Sequence, residues 1–361
     1  MDFTLGEDRQ ALVDTLTRFL RDRRGLEARR AAAGAAPWHD RETWAGLAEL
    51  GAIGALFPEE AGGFGGDPFD VTAVFETLGA ALAAEPMLPA LMAGTVFALA
   101  APDRLEGLIA GGRLTTVAFH EPHARYDVSD VRATAVRTAE GWRLDGAKAV
   151  ALHAEAADDV IVSAREADGD IALFLVPAAS IDMRGYATHD GRRAAELTLS
   201  GVAVPPQARL CGSGPMQAAV AVGALALCAE ALGVMERLKA DTLDYLRTRK
   251  QFGAPIGRNQ ALQHRMAELL VEMEQARSSV INAAAAMGAD AATRDRALSA
   301  AKFTIGEAAT RTAEEAVQMH GGIGMTQELD VSHYAKRAMM IDHQLGDADF
   351  HLGRYIALSA A

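Results

Sequence analysis

Apolar positions along the first hundred or so residues recur at helical spacing. Leu12, Leu16, Phe19 and Leu20 share one face of residues 7–23, and residues 41–50 repeat the pattern before a Gly-rich break at 51–54. Residues 71–83 and 87–99 read as two apolar helices separated by Glu85-Pro86, and the Gly- and Pro-rich stretch 58–68 reads as a loop. Near Leu114 the period changes from helical to alternating. Strand-like runs follow at 115–119, 131–137, 142–144, 147–152, 160–162, 171–176 and 195–199, with turn chemistry at Asp145-Gly146, Asp168-Gly169 and Asp190-Gly191. Short strands at this spacing predict a small antiparallel barrel or sandwich rather than alternating βα units. From about Gly212 the helical period returns, over 217–248, 260–287, 294–319, 334–344 and 347–358, and predicts an antiparallel bundle. The expected fold class is therefore α+β: a helical domain over 1–113, a β domain over 114–211 and a helical bundle over 212–361.

Composition narrows the function. The 361 residues are half hydrophobic, with net charge −13 and pI near 5.3. An acidic surface disfavours phosphate-backbone binding, so nucleic acid is not an expected partner. Cys211 and Cys228 are too few for a disulfide framework and fit a reducing cytoplasm. The N-terminal residues lack a basic segment followed by an apolar run, so no signal peptide is expected. Residues 216–229 are apolar but too short to span a bilayer, and a buried bundle helix is the expectation there. His320, His333, His343 and His351 show no metal-ligand spacing.

The stretch Arg247-Thr-Arg-Lys-Gln-Phe-Gly-Ala-Pro-Ile-Gly257 lies between two long helical patterns. Its glycines and proline break the helix and bring cations, an aromatic ring and approachable backbone together. Two readings stand side by side: an anion clamp, or a helical hairpin whose arginines lie at a favourable helix C-terminus.

Arg249-Lys-Gln-Phe-Gly253 with Gln260, and Gln318-Met-His-Gly-Gly-Ile-Gly324 with Glu328, resemble the acyl-CoA dehydrogenase family of flavoproteins. The resemblance covers essentially the whole chain. It implies an N-terminal helical domain, a middle antiparallel β-barrel domain and a C-terminal four-helix bundle. It also implies a tetramer with FAD at a subunit interface. On it, Arg249, Gln251, Phe252, Gln260, Gln318, Gly321 and Gly322 would hold the pyrophosphate and adenosine end of a flavin seated mainly in a neighbouring subunit. A guanidinium suits a diphosphate, and paired glycines let backbone N–H groups approach it. Gly321-Gly-Ile-Gly324 follows a helical pattern and is not a dinucleotide fingerprint.

Departures from the family pattern are equally informative. Where the family carries Thr-Glu-Pro and then Gly-Ser-Asp, this chain has His120-Glu-Pro-His-Ala-Arg-Tyr-Asp127, and Lys148 is followed by Ala149-Val-Ala-Leu152 instead of an aromatic residue and a Thr. The family's catalytic Glu before a Gly matches Leu345, and its alternative location matches about Gly223; neither is a carboxylate. The usual arginine near the CoA end matches Ala224. α,β-Dehydrogenation of a thioester needs a carboxylate to take the α-proton. Glu230, two turns beyond Gly223, is the candidate: a relocated base, or a polar anchor paired with an arginine. Asp347 and Asp349 read as helix N-terminal acids.

Residues serving a neighbour's flavin are kept and those serving the chain's own flavin are altered. With Ser332-His-Tyr-Ala-Lys-Arg337 and Gly346-Asp-Ala-Asp349, the chain resembles the small subunit of heteromeric, pimeloyl-CoA dehydrogenase-like enzymes. The resemblance implies an acyl-CoA substrate, an electron-transferring flavoprotein as acceptor, and a homo- or heterotetramer, α2β2 with a Glu-bearing large subunit. The alternative is a non-catalytic subunit that completes a partner's flavin site and interface. A homotetrameric flavoprotein with altered chemistry is a third reading.

Overall fold

The structure, a computed structural model, describes residues 5–21, 23, 34, 36 and 38–360. Its helices are α1 (Glu7–Arg21), α2 (Arg41–Glu49), α3 (Pro68–Ala81), α4 (Met87–Ala100), α5 (Leu105–Ile109), α6 (Gly214–Thr248), α7 (Gln260–Ala286), α8 (Ala291–His320), α9 (Asp330–Asp342) and α10 (Ala348–Ala360). The strands are β1 (Thr115–Ala118), β2 (Thr134–Arg137), β3 (Trp142–Leu152), β4 (Asp159–Arg165), β5 (Ile171–Pro177), β6 (Asp182–Ala187), β7 (Arg193–Val204), β8 (Arg209–Gly212), β9 (Lys250–Gln251) and β10 (Ala254–Pro255). The chain packs as two units: Met1–Leu26, Pro68–Ala83 and Ala224–Ala361 form one, Glu27–Asp67 and Ala84–Gly223 the other.

The first unit is helical. It gathers α1 and α3 with α7 to α10 and the larger part of α6. α6 is buried on nearly every side from Ala224 to Met235, as its run of apolar residues, interrupted by Glu230, requires. A Cβ on Gly79 of α3 would lie 2.0 Å from the Glu230 carbonyl oxygen, and one on Gly233 of α6 would lie 1.9 Å from that of Glu76. The two helices therefore cross with backbones touching, at glycine on both sides. Asp290 caps α8, its side chain accepting from the Thr293 N–H at 3.0 Å, and Gly321, with φ of 68°, ends the helix. Where a four-helix bundle was expected, the C-terminal segment contributes five helices among the described residues, and α1 and α3 join them. α6 is also longer than its apolar run: its 35 residues make it long and apolar enough to cross a membrane, but 83% of its most apolar 18 residues are buried inside the protein.

The second unit holds α2, α4 and α5 and an eight-stranded sheet. Alternate residues of its strands, Trp142 and Leu144, Val160 and Val162, Phe174 and Val176, Leu197 and Leu199, point to one core. There the Trp142 and Phe174 rings meet edge to face at 5.3 Å. Strand order is β6-β7-β3-β2-β4-β5-β8, with β1 beside β4. The sheet is mixed rather than all-antiparallel, because β1 and β2 run parallel to β4. A period of two fixes which side chains are buried but not which strand lies alongside, and the long 119–133 connection carries the chain back to a parallel partner. The runs at 142–144 and 147–152 form one strand, irregular at Gly146, whose φ of 148° brings its Cα face against Ala133. Strands β6 and β8 carry no fully buried residue to mark them as strands, and each pairs with one neighbour only at the ends of the path.

Candidate functional site

The helical unit joins the C-terminal end of α6, the start of α7 and the end of α8. Buried Leu246, Met266, Leu269 and Met319 form a cluster, and Leu243, Ile256 and Leu262 pack against it. The Tyr245 ring stacks on the His320 imidazole at 4.4 Å between centroids. These contacts bring the segment around Arg249 and the segment Gln318–Gly322 to one end of the unit.

The Arg249 segment is rigidly built. The Arg249 N–H donates to the Tyr245 carbonyl at 2.8 Å, and the Ile256 N–H donates to the Arg249 carbonyl at 2.9 Å. β9 and β10 pair antiparallel, with Phe252 (φ 53°) and Gly253 (φ 81°) at the tip of the two-residue turn. Gly257 must be glycine, since a Cβ there would stand 2.8 Å from the Leu246 carbonyl. On this frame Arg249, Gln251, Phe252, Gln260, Gln318, Gly321 and Gly322 are all exposed. Phe252 is 105% exposed, and nothing lies within 4 Å of where Cβ atoms on Gly321 and Gly322 would stand. Arg247, Lys250 and Arg258 add exposed positive charge. The result is an open cationic cradle with accessible backbone and an unpacked aromatic ring, suited to a phosphate-bearing aromatic ligand.

Glu230 lies elsewhere, in the interior of α6, and is 2% exposed. Arg337 of α9 donates to both its oxygens, Nε to Oε1 at 2.8 Å and Nη2 to Oε2 at 2.6 Å. Of the two readings of Glu230, the geometry supplies the arginine that the anchor reading requires. Leu345, where the family Glu was expected, is half-buried with φ of 56°. Asp347 caps α10, accepting from the Phe350 N–H at 2.9 Å, and Asp349 is exposed. His351 Nε2 donates to the Leu345 carbonyl at 3.0 Å, and its burial holds its pKa down at about 4. Among the described residues no group of three or more His, Cys, Asp or Glu is placed to hold a metal ion.

The sheet unit carries a second polar centre that the sequence did not announce. Lys148, fully buried on β3, donates to Glu121 Oε1 at 2.7 Å and to Ser163 Oγ at 2.9 Å. Glu121 also accepts from the backbone N–H groups of Arg132 (2.9 Å) and Ala133 (3.0 Å). Burial raises the Glu121 pKa, but Lys148 and these N–H groups outweigh it and hold the carboxyl below its ordinary value. Burial lowers Lys148 to about 8, with Glu121 opposing, and burial together with the Lys148 charge lowers His120 to about 4. The sequence signal was a lysine inside a strand pattern; its partner is distant in the chain and gives no periodic cue.

The chain matches the acyl-CoA dehydrogenase N-terminal domain over residues 6–103 and the acyl-CoA dehydrogenase C-terminal domain over residues 212–355. It is 31% identical to the acyl-CoA dehydrogenase FadE27 of Mycobacterium tuberculosis, across 98% of this chain and 97% of that protein. Its structure is similar to a chain of the ChsE4-ChsE5 complex from Mycobacterium tuberculosis, with a TM-score of 0.91, 29% identity and coverage of 100% and 99%. It is also similar to a chain of the Tcur3481-Tcur3483 steroid ACAD, with a TM-score of 0.90, 32% identity and 99% of both chains covered. Full-length similarity at this identity, together with matches at both ends of the chain, places this protein in the acyl-CoA dehydrogenase family.

Proposed function

We propose that this chain is a subunit of a FAD-dependent acyl-CoA dehydrogenase, acting with a Glu-bearing partner chain in an α2β2 assembly. One observation carries the reading: the cradle at Arg249, Phe252 and Gly321-Gly322 is intact and open, while Leu345 is aliphatic and Glu230 is bound on both oxygens by Arg337. The cradle fits the diphosphate and adenosine end of FAD. Arg249 would take two phosphate oxygens in its planar fork, Gly321 and Gly322 would offer backbone N–H groups, Gln251, Gln260 and Gln318 would add hydrogen bonds, and Phe252 a stacking face. Bound there, the flavin would supply the hydride acceptor for α,β-dehydrogenation of an acyl-CoA thioester. The α-proton would go to a carboxylate of the partner, since neither position 345 nor Glu230 of this chain offers a free one. Two structurally similar chains come from two-component complexes, which supports a heteromeric assembly. On this reading the sheet unit serves as the family's middle barrel domain, and an electron-transferring flavoprotein reoxidises the flavin.

The same observations favour, as a second reading, a subunit with no chemistry of its own that completes the partner's flavin site. Flavin content separates the possibilities. Visible absorbance of the purified chain should show little flavin alone and about one per pair after co-expression with the large subunit; near-full flavin in the chain alone would overturn the heteromeric reading. Arg249→Ala should lower flavin retention of the assembled pair by roughly tenfold or more, as loss of a charge-assisted bidentate contact implies; full retention would remove Arg249 from the cradle.

A further inference from the structure

The buried pair Glu230–Arg337 needs a reason beyond stability, because an apolar pair of similar volume fills such a place at least as well. The reason lies in the guanidinium's remaining edge. While Nε and Nη2 are held by Glu230, Arg337 Nη1 donates to Gln344 Oε1 at 2.9 Å. Gln344 opens a turn whose next residue, Leu345, has φ of 56°, a left-handed conformation that a branched side chain disfavours. Gly346 follows with φ of 112°, and a Cβ there would meet His351 Nε2 at 2.5 Å and Phe350 Cδ1 at 2.6 Å. The turn is held on its far side as well. Lys302, fully buried, donates from Nζ to the Ile341 and Asp342 carbonyls at 2.9 and 3.3 Å, and His351 Nε2 donates to the Leu345 carbonyl at 3.0 Å.

We propose that Arg337 is a positioning residue: Glu230 fixes its guanidinium so that Nη1 clamps Gln344 and keeps the Gln344-Leu345-Gly346 turn in its left-handed form. Glu230 is thereby committed to orientation rather than proton transfer. The turn is preset by side chains of α6, α8, α9 and α10, and residue 345 is presented on a rigid frame. The functional meaning of that presentation rests on the dehydrogenase reading, but the clamp does not.

Hydrogen–deuterium exchange of the full chain tests it, alone and with its partner, without reference to flavin. The reporters are the Gln344 N–H, bonded to the Ile341 carbonyl at 3.2 Å, and the Ala348 N–H, bonded to Asp342 Oδ1 at 3.0 Å, which bracket the turn. Gln344→Ala should speed exchange at both by tenfold or more while core amides of α6 and α8 stay unchanged. Gln344→Glu, which keeps an acceptor for Arg337, should retain wild-type protection. Glu230→Gln should loosen the same two amides although residue 230 does not touch the turn; if that variant fails to fold, the pair at 344 decides. Exchange at 344 and 348 within twofold of wild type in Gln344→Ala would overturn the proposal. So would equal loss in Gln344→Ala and Gln344→Glu.

Discussion

Lys148 and Glu121 show how much a single buried pair can demand. Each is satisfied by the other and by neighbouring polar atoms, so removing one leaves an uncompensated charge in the sheet core. Lys148→Met is expected to lower unfolding free energy by about 3–5 kcal/mol in urea titrations, and the double change with Glu121→Leu to recover part of that loss. pH dependence follows from the same chemistry. The folded-state pKa values of His120 and His351 are held near 4, below the ordinary 6.5, so the unfolded chain binds more protons between those values. The contribution of these two histidines to stability should therefore be full above about pH 6.5 and fall as pH drops towards 4. The depressed Glu121 carboxyl adds loss in the same direction at still lower pH. Urea midpoints at pH 7 and pH 5 check the sign, and His120→Gln with His351→Gln should flatten the slope.

At the scale of elements, the crossing of α3 and α6 is set by two glycines rather than by side-chain interdigitation. Alanine is the better helix former by about 1 kcal/mol. Here Gly79→Ala or Gly233→Ala should nonetheless destabilise by about 1–3 kcal/mol, because each new methyl would stand about 2 Å from a backbone carbonyl. Thermal melts would reveal it, and an increase in Tm would show that the helices part easily. Gly322 is the contrast, since its Cβ site is open: Gly322→Ala should leave the melt unchanged and report only on ligand approach.

For the whole molecule, three of the exposed apolar residues stand out by their place in the chain. Phe252, Ile323 and Met325, 105%, 43% and 78% exposed, lie on the same two segments as the candidate flavin residues. Exposed apolar side chains in one place mark an interaction surface. Met325→Ser is expected to weaken association with the proposed partner chain by about tenfold in light-scattering titrations, with unfolding free energy unchanged within about 0.5 kcal/mol because the side chain is 78% exposed. Wild-type association would detach that surface from assembly.

Much of this was legible in the residues alone. The change of period near 114 and its return near 212 marked the α, β, α order, and glycine and proline located the loop at 58–68, which the structure forms with a short helical turn at Glu59–Ala61, and the turns at 168–169, 190–191 and 253–257. The candidate cradle residues were nominated from short contiguous motifs, and the structure brings those motifs together at one end of the helical unit. Four things were not legible. The parallel pairing of β1 with β4, the edge strands β6 and β8, and the gathering of α1 and α3 with the C-terminal helices all depend on which element covers a buried face. Periodicity states only that a face is covered. The fourth is Glu230: a carboxylate in an apolar helix reads as a base or as an anchor until its partner is known, and Arg337 lies 107 residues away. The sequence determines what each segment must bury and where the chain turns. Only the tertiary structure decides which charges meet, because a buried charge is defined by its neighbour across space and not by its neighbours along the chain.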